Sequence, residues 1–234
     1  MHKNSNANMT PFDFDSRKCR PAKYKLRDTS HFGFEDSRSL MLDILQIFCL
    51  SCRMCELGKS MLEEKGKKLD PHVFSNMQHD AKFMVVGQNP GFNECVRGVP
   101  FIGAAGQNFD DELDANGLSR DKLYITNIVK CKTPGNKFDS RHSKYKQICS
   151  AILKLEIQVI KPKMIITLGS HAFSFFAPDK RMSNHLGDIV WTDWGPIFPI
   201  YHPSPMNLAD KSRKDKFKKD IRIMCKVVRK LLSN

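Results

Sequence analysis

Acidic residues are in short supply in this chain: its 234 residues include 25 Asp and Glu against 38 Lys and Arg, for a formal net charge of +13. Clustered Lys and Arg attract phosphate, so the imbalance favours a polyanionic partner over a small neutral one, although a basic surface can also serve solubility alone. Long apolar runs are missing as well. No stretch reaches eighteen apolar residues, which argues against a membrane-spanning helix. The first residues, Met1-His-Lys-Asn-Ser-Asn-Ala-Asn8, lack the apolar core of a secretion signal, and an intracellular protein is expected. There is no internal repeat and no low-complexity tract. Disulfides are not expected in a reducing compartment, so the eight cysteines read as thiols or metal ligands, and their spacing becomes informative.

What is present divides the chain in two. Residues 1–37 are polar and show neither helical nor strand periodicity, as expected of a loosely ordered N-terminal extension. Residues 38–234 are enough for one packed domain. Leu40, Leu42, Ile44, Leu45, Ile47 and Phe48 fit a helix that runs into the cysteine cluster Cys49-Leu-Ser-Cys-Arg-Met-Cys55. Residues 59–80 read as loop with some helix. Beyond them, apolar segments at Lys82–Val86, Leu123–Val129, Met164–Leu168 and Ile197–Tyr201 read as buried strands. Helical patterns at Phe109–Asn116, Tyr145–Ile160 and Ser170–Phe176 separate them, with Gly117 as a helix stop and Ser170 as an N-cap. The expected fold is α/β, a three-layer αβα arrangement with a central, mostly parallel four-stranded sheet. Asp210–Leu232 forms a basic amphipathic helix, which suits core packing or phosphate contact equally.

Four polar or glycine-marked turns follow the four expected strands: Gly87-Gln-Asn-Pro-Gly91, Asn127–Cys131, Gly169-Ser170 and His202-Pro-Ser-Pro205. Ligands of open parallel sheets bind beyond the carboxyl ends of the strands, so these turns should meet on one rim. In order and spacing they, together with Pro100-Phe-Ile-Gly-Ala-Ala-Gly-Gln107 and Tyr124-Ile-Thr-Asn-Ile-Val-Lys-Cys131, resemble the uracil-DNA glycosylase superfamily, and within it the iron–sulfur group called family 4. The resemblance covers roughly residues 39–208.

It implies a DNA-repair enzyme that flips uracil out of DNA and hydrolyses its N-glycosidic bond, acting as a monomer, off the membrane, on uracil-containing DNA where the genome is. It also implies a [4Fe–4S] cluster on Cys52, Cys55, Cys131 and Cys149, since thiolates are the natural ligands of such clusters. Cys49 extends the first pair to a ferredoxin-like spacing and could replace Cys52 or Cys55; zinc, or simply buried thiols, are the other readings of these cysteines.

The residue chemistry agrees with that resemblance. Cleavage leaves negative charge on the departing base, so a donor is needed there and a positioned water opposite. His202, set between a strand and two prolines, suits the donor role toward uracil O2. Asn127 can pair its amide with uracil O4 and N3–H and so reject cytosine, whose edge is reversed. Phe101 corresponds to the family's stacking aromatic, as an extruded base requires. Ser204 and its turn could hold a DNA phosphate, and Met206 occupies the place of the apolar wedge that fills the vacated stack.

The first motif departs from the family. Iron–sulfur members carry Gly-Glu-x-Pro-Gly, whereas Gln88 stands at the Glu place and Asn89 at the place where related families carry Asp or Asn. No carboxylate is present at either position. Asn89 can orient water without accepting its proton, which suffices if the glycosidic bond is largely broken before attack, and Gln88 joins it on the floor of the uracil site. Glu94 falls where family 4 carries a Glu proposed to screen the thymine methyl. The missing carboxylate leaves open an alternative: a catalytically weak or idle module that binds uracil-containing or single-stranded DNA.

Overall fold

A computed structural model describes residues 37–59, 61–136 and 143–233 of the chain. The polar extension expected over 1–37 lies outside the described residues except for Ser37, which opens a helix. The helical elements are α1 (Ser37–Leu50), α2 (Glu56–Lys59), α3 (Phe92–Arg97), α4 (Ala104–Ala115), α5 (Ser143–Ile160), α6 (Ser170–Phe176), α7 (Pro205–Leu208) and α8 (Lys211–Leu232). The strands are β1 (Leu62–Glu64), β2 (Lys67–Leu69), β3 (Phe83–Gly87), β4 (Leu123–Asn127), β5 (Met164–Leu168), β6 (Val190–Thr192) and β7 (Gly195–Ile200).

The main sheet has the order β4-β3-β5-β7-β6. It has five strands, not the four expected. β4, β3, β5 and β7 run parallel, and β6 is added antiparallel to β7 through a tight turn at the edge. β6 escaped the sequence reading because its three residues are too few to show a period. The expected loop with some helix over 59–80 is also corrected: β1 and β2 pair as a small antiparallel hairpin outside the main sheet.

Each inner strand is apolar on both faces, as a strand covered by helices on both sides must be. Alternation nonetheless sorts its residues. Met84 and Val86 of β3 join Tyr124 and Ile165 under α1, α5 and α6, whereas Phe83 and Val85 join Ile125 and Ile166 under α4 and α8. The period of two thus divides one apolar run between two cores. α8 lays Phe217, Ile221, Met224 and Val228 into the second core and leaves its Lys and Arg outward, with Asp210 capping its start by accepting from the Arg213 N–H at 2.8 Å. Ser170 is not the N-cap of α6 but its first residue; Gly169 occupies the cap with φ of 90°.

Because four strands are parallel, their carboxyl ends share one edge. Gly87 stands in register beside Asn127, and β5 and β7 end at Leu168 and Ile200 next to one another. That edge carries the site.

Candidate active site

The floor of the site is the pair Gly87 and Asn127. A Cβ on Gly87 would press into the Phe101 ring and come within 2.6 Å of Asn127 Oδ1, so only glycine lets ring and amide approach the strand end together. Asn127 is 1% exposed, and both its Oδ1 and its Nδ2 are sealed from solvent without a hydrogen-bond partner. A buried amide normally has its bonds made, and leaving one unmade costs free energy. The same strand fixes its neighbours firmly: Ile128 N–H donates to Gly87 O at 2.9 Å and Val129 N–H to Gln88 O at 3.0 Å. Asn127 is therefore a rigidly mounted donor and acceptor with no partner among the described residues.

Phe101 forms the next wall. It is buried and adopts a left-handed backbone, φ 53°, which costs a non-glycine residue on the order of 1–3 kcal/mol and persists only where neighbours impose it. Two side chains do so. Arg120 donates to Pro100 O at 2.5 Å and to Phe101 O at 2.9 Å, and forms an ion pair with Asp110 at 3.0 Å. Glu94 Oε1 accepts from the Ile102 and Gly103 N–H groups at 3.0 and 2.7 Å. The loop bearing the ring is clamped from both sides by buried charge. Glu94, expected beside the uracil, is thus placed as a buried clamp of the Phe101 loop.

His202 faces Phe101 with ring centroids 5.9 Å apart. Its turn is held by two asparagines: Asn108 Nδ2 donates to Pro203 O at 2.9 Å and Asn207 Nδ2 to His202 O at 3.1 Å. Gly169 permits the close passage, since a Cβ there would lie 3.0 Å from His202 Cβ. Burial pushes the imidazole down to about 4, and the nearby His171 adds in the same direction. At neutral pH His202 is an uncharged ring with a single N–H to give.

Gln88 and Asn89 are half-buried at the end of β3. Asn89 Nδ2 donates to Pro90 O at 3.0 Å and to Thr133 Oγ1 at 3.3 Å. On the opposite lip, Ser204 caps α7 by accepting from the Asn207 N–H at 3.4 Å, and Met206 projects from that first turn, 86% exposed. The structure brings Asn127, Phe101 and His202 together, sets Gln88 and Asn89 on the adjoining strand end, and puts Met206 on the lip. Sequence reasoning missed Arg120, Asn108, Asn207 and Thr133; Arg120, Asn108 and Thr133 act on residues 10 to 95 positions away, and Asn207 acts on a backbone carbonyl that every residue carries, so no local pattern marks any of them.

The cysteines gather on the other side of β4. Burial pushes the Cys131 thiol far up, and Cys149, Cys49, Cys55 and Cys52 all act on it in the same sense, so the five lie within one another's field. Burial also raises Cys149, to about 11. In kind and number these thiols suit an all-thiolate cluster, although among the described residues no group of three or more His, Cys, Asp or Glu is arranged to hold a metal ion. A further unanticipated residue braces this region. The buried His72 pairs by backbone bridge with Cys131, and its ring spans Asp70 Oδ1 at 2.5 Å and Cys52 O at 3.0 Å.

Comparison with known proteins agrees with this geometry. Residues 74–224 match the model of the uracil DNA glycosylase superfamily. A type-4 uracil-DNA glycosylase of Thermotoga maritima is 34% identical over 128 residues, 53% of this chain and 66% of that protein. Another from Saccharolobus solfataricus is 31% identical over 166 residues, 67% of this chain and 71% of that protein. A DNA polymerase of Bacillus phage SP01 is 26% identical over 149 residues, which is 63% of this chain but only 16% of the polymerase. With the superfamily match spanning more than half of its length and running through the strand ends that carry Asn127 and His202, the chain belongs to the uracil DNA glycosylase superfamily.

Proposed function

We propose that this protein is a monofunctional DNA-repair glycosylase that flips uracil out of DNA and hydrolyses its N-glycosidic bond, leaving an abasic site. The observation that carries the reading is the sealed, unpartnered amide of Asn127 beside the Phe101 ring. Uracil offers a flat face to the ring and an adjacent acceptor and donor, O4 and N3–H, to the amide. Its entry would satisfy both orphan atoms at once.

The chemistry then divides among the remaining groups. The bond between N1 and C1′ breaks, and its electron pair leaves with the base. The neutral His202 ring donates a hydrogen bond to uracil O2 as charge collects there, stabilising the leaving anion without surrendering its proton. Water held by Asn89 adds to the cation-like C1′, and its proton passes to solvent, since neither Asn89 nor Gln88 can accept it. A base-free mechanism of this kind needs bond breaking to run ahead of attack. The pocket motifs place no Lys for attack on C1′, so no strand cleavage is expected.

Met206 fits the wedge role by its exposure, and Ser204 with its turn suits a phosphate next to the flipped nucleotide. Cys52, Cys55, Cys131 and Cys149 would hold a [4Fe–4S] cluster, whose bonding would tie α5 and the segment after α1 to the end of β4. The protein is read as a monomer acting on uracil-containing DNA.

The amides at 88 and 89 favour a second reading, a module that binds uracil-containing DNA without turning it over. A uracil-bearing oligonucleotide incubated with the protein and then treated with alkali separates the two. Alkali-labile product is expected. Tight binding with no abasic product at stoichiometric protein would leave only the binding module.

A further inference from the structure

The chain carries an amide, not a carboxylate, at the position read as orienting water, and the two are not equivalent in one respect. Both oxygens of a carboxylate accept, so either rotamer presents an acceptor to the water. An amide has one acceptor end and one donor end. Presented with its oxygen inward, Asn89 takes a water hydrogen and leaves a lone pair for C1′; presented with its nitrogen inward, it would occupy that lone pair. An asparagine at this position needs its orientation set.

The structure contains the two groups that set and hold it. Asn89 Nδ2 lies 3.0 Å from Pro90 O, an atom that can only accept, so the nitrogen must be on that side. Its second N–H goes to Thr133 Oγ1 at 3.3 Å. With both amide hydrogens engaged, Oδ1 is the end left for the site. Thr133 is itself fully buried, and its carbonyl accepts from Lys132 Nζ at 3.2 Å. Lys132 is pinned in turn by an ion pair with Glu64 of the small hairpin at 2.7 Å and by its N–H to Pro71 O at 3.0 Å. The hydroxyl that faces Asn89 therefore stands on a rigid base.

We propose that Thr133 is a positioning residue: with the acceptor-only Pro90 carbonyl deciding which end of the amide faces inward, its hydroxyl takes the second amide hydrogen and locks Asn89 with its oxygen toward the attacking water. The inference rests on the water-holding role given to Asn89 above. It makes a distinction that a purely structural role for Thr133 does not: the effect of removing the hydroxyl depends on which residue occupies position 89.

The test measures single-turnover cleavage of a uracil oligonucleotide, its KM and thermal melting for wild type, Thr133→Val, Thr133→Ser, Asn89→Ala, Asn89→Asp and the Asn89→Asp/Thr133→Val double variant. Thr133→Val should lose about tenfold or more in the chemical rate, as small misplacements of reacting groups do, with KM held within about twofold. Thr133→Ser should restore the rate. In the Asn89→Asp background, where orientation no longer matters, the same Thr133→Val change should cost less than about twofold. A Thr133→Val protein as fast as wild type, or an equal loss in both backgrounds, overturns the proposal. Asn89→Ala separates the two levels: full activity there removes the water-holding role itself, whereas a slow Asn89→Ala beside an unimpaired Thr133→Val removes only the lock.

Discussion

Gly87 and Asn127 face each other in parallel register at the ends of β3 and β4, so closely that a Cβ on Gly87 would sit 2.6 Å from Asn127 Oδ1 and inside the Phe101 ring. The two sides of the proposed uracil site thus meet over a single missing methyl group. The backbone at Gly87 has no positive φ, so alanine is not refused by the chain itself. Gly87→Ala should therefore fold, with the ring and the amide pushed out of place. A displacement of about 1 Å at a reacting centre costs on the order of 100-fold, and that loss is expected in single-turnover cleavage. Circular dichroism of the variant should match wild type.

Asn127 should behave oppositely in stability and in function. Its orphaned Nδ2 and Oδ1 are a standing cost to the free protein of about 1–3 kcal/mol, which leucine of similar volume does not incur. Asn127→Leu is expected to melt at the same temperature as wild type or higher while losing uracil cleavage entirely. A large drop in melting temperature would mean that the amide has a structural partner.

His202 gives a pH signature. Its folded value, about 4, lies below the ordinary 6.5, so the folded protein resists a proton that the unfolded chain accepts. Its contribution to stability is complete above about 6.5 and is lost as the pH falls from there to about 4, roughly 3 kcal/mol in all. His202→Asn should remove that part of the acid sensitivity. In activity, a ring that is neutral in the free protein predicts no His202-dependent inflection of kcat/KM at pH 6.5. A limb at 6.5 that vanishes in His202→Asn would show a solvated, ordinary imidazole.

Apart from Phe101, which lies in the loop before α4, the residues that touch the substrate in this reading stand in short segments at strand ends, and that is why they were legible. Gly87 to Gly91, Asn127 and His202 to Pro205 each follow a run of β-forming residues, and a parallel sheet turns that local pattern into a shared edge. The supports were not legible. Arg120 reaches back 19 residues to Phe101 O and Asn108 reaches 95 residues to Pro203 O, and nothing near either marks it. The clamping role of Glu94 was not legible because its donors are backbone N–H groups, which every sequence has. The hairpin of β1 and β2 went unseen because its Lys65-Gly66 turn joins strands of Lys and Glu, without the alternating apolar residues that announce a half-buried strand.

The cysteines offer the last test, because spacing alone left Cys49 in competition with Cys52 and Cys55. The fold separates them by position. Cys49 is in the last turn of α1 and fully buried in the core with Leu42 and Leu45, whereas Cys52 and Cys55 lie past the helix, on a segment whose backbone is held by His72. Alanine at Cys52, Cys55, Cys131 or Cys149 should abolish iron and acid-labile sulfide in the purified protein and lower its melting temperature. Cys49→Ala and Cys95→Ala should retain about four irons per chain, with stability reduced only by the cost of a small core cavity. Iron content, measured beside the melting curve for all six variants, decides the ligand set: iron lost in Cys49→Ala and kept in Cys52→Ala would exchange the two.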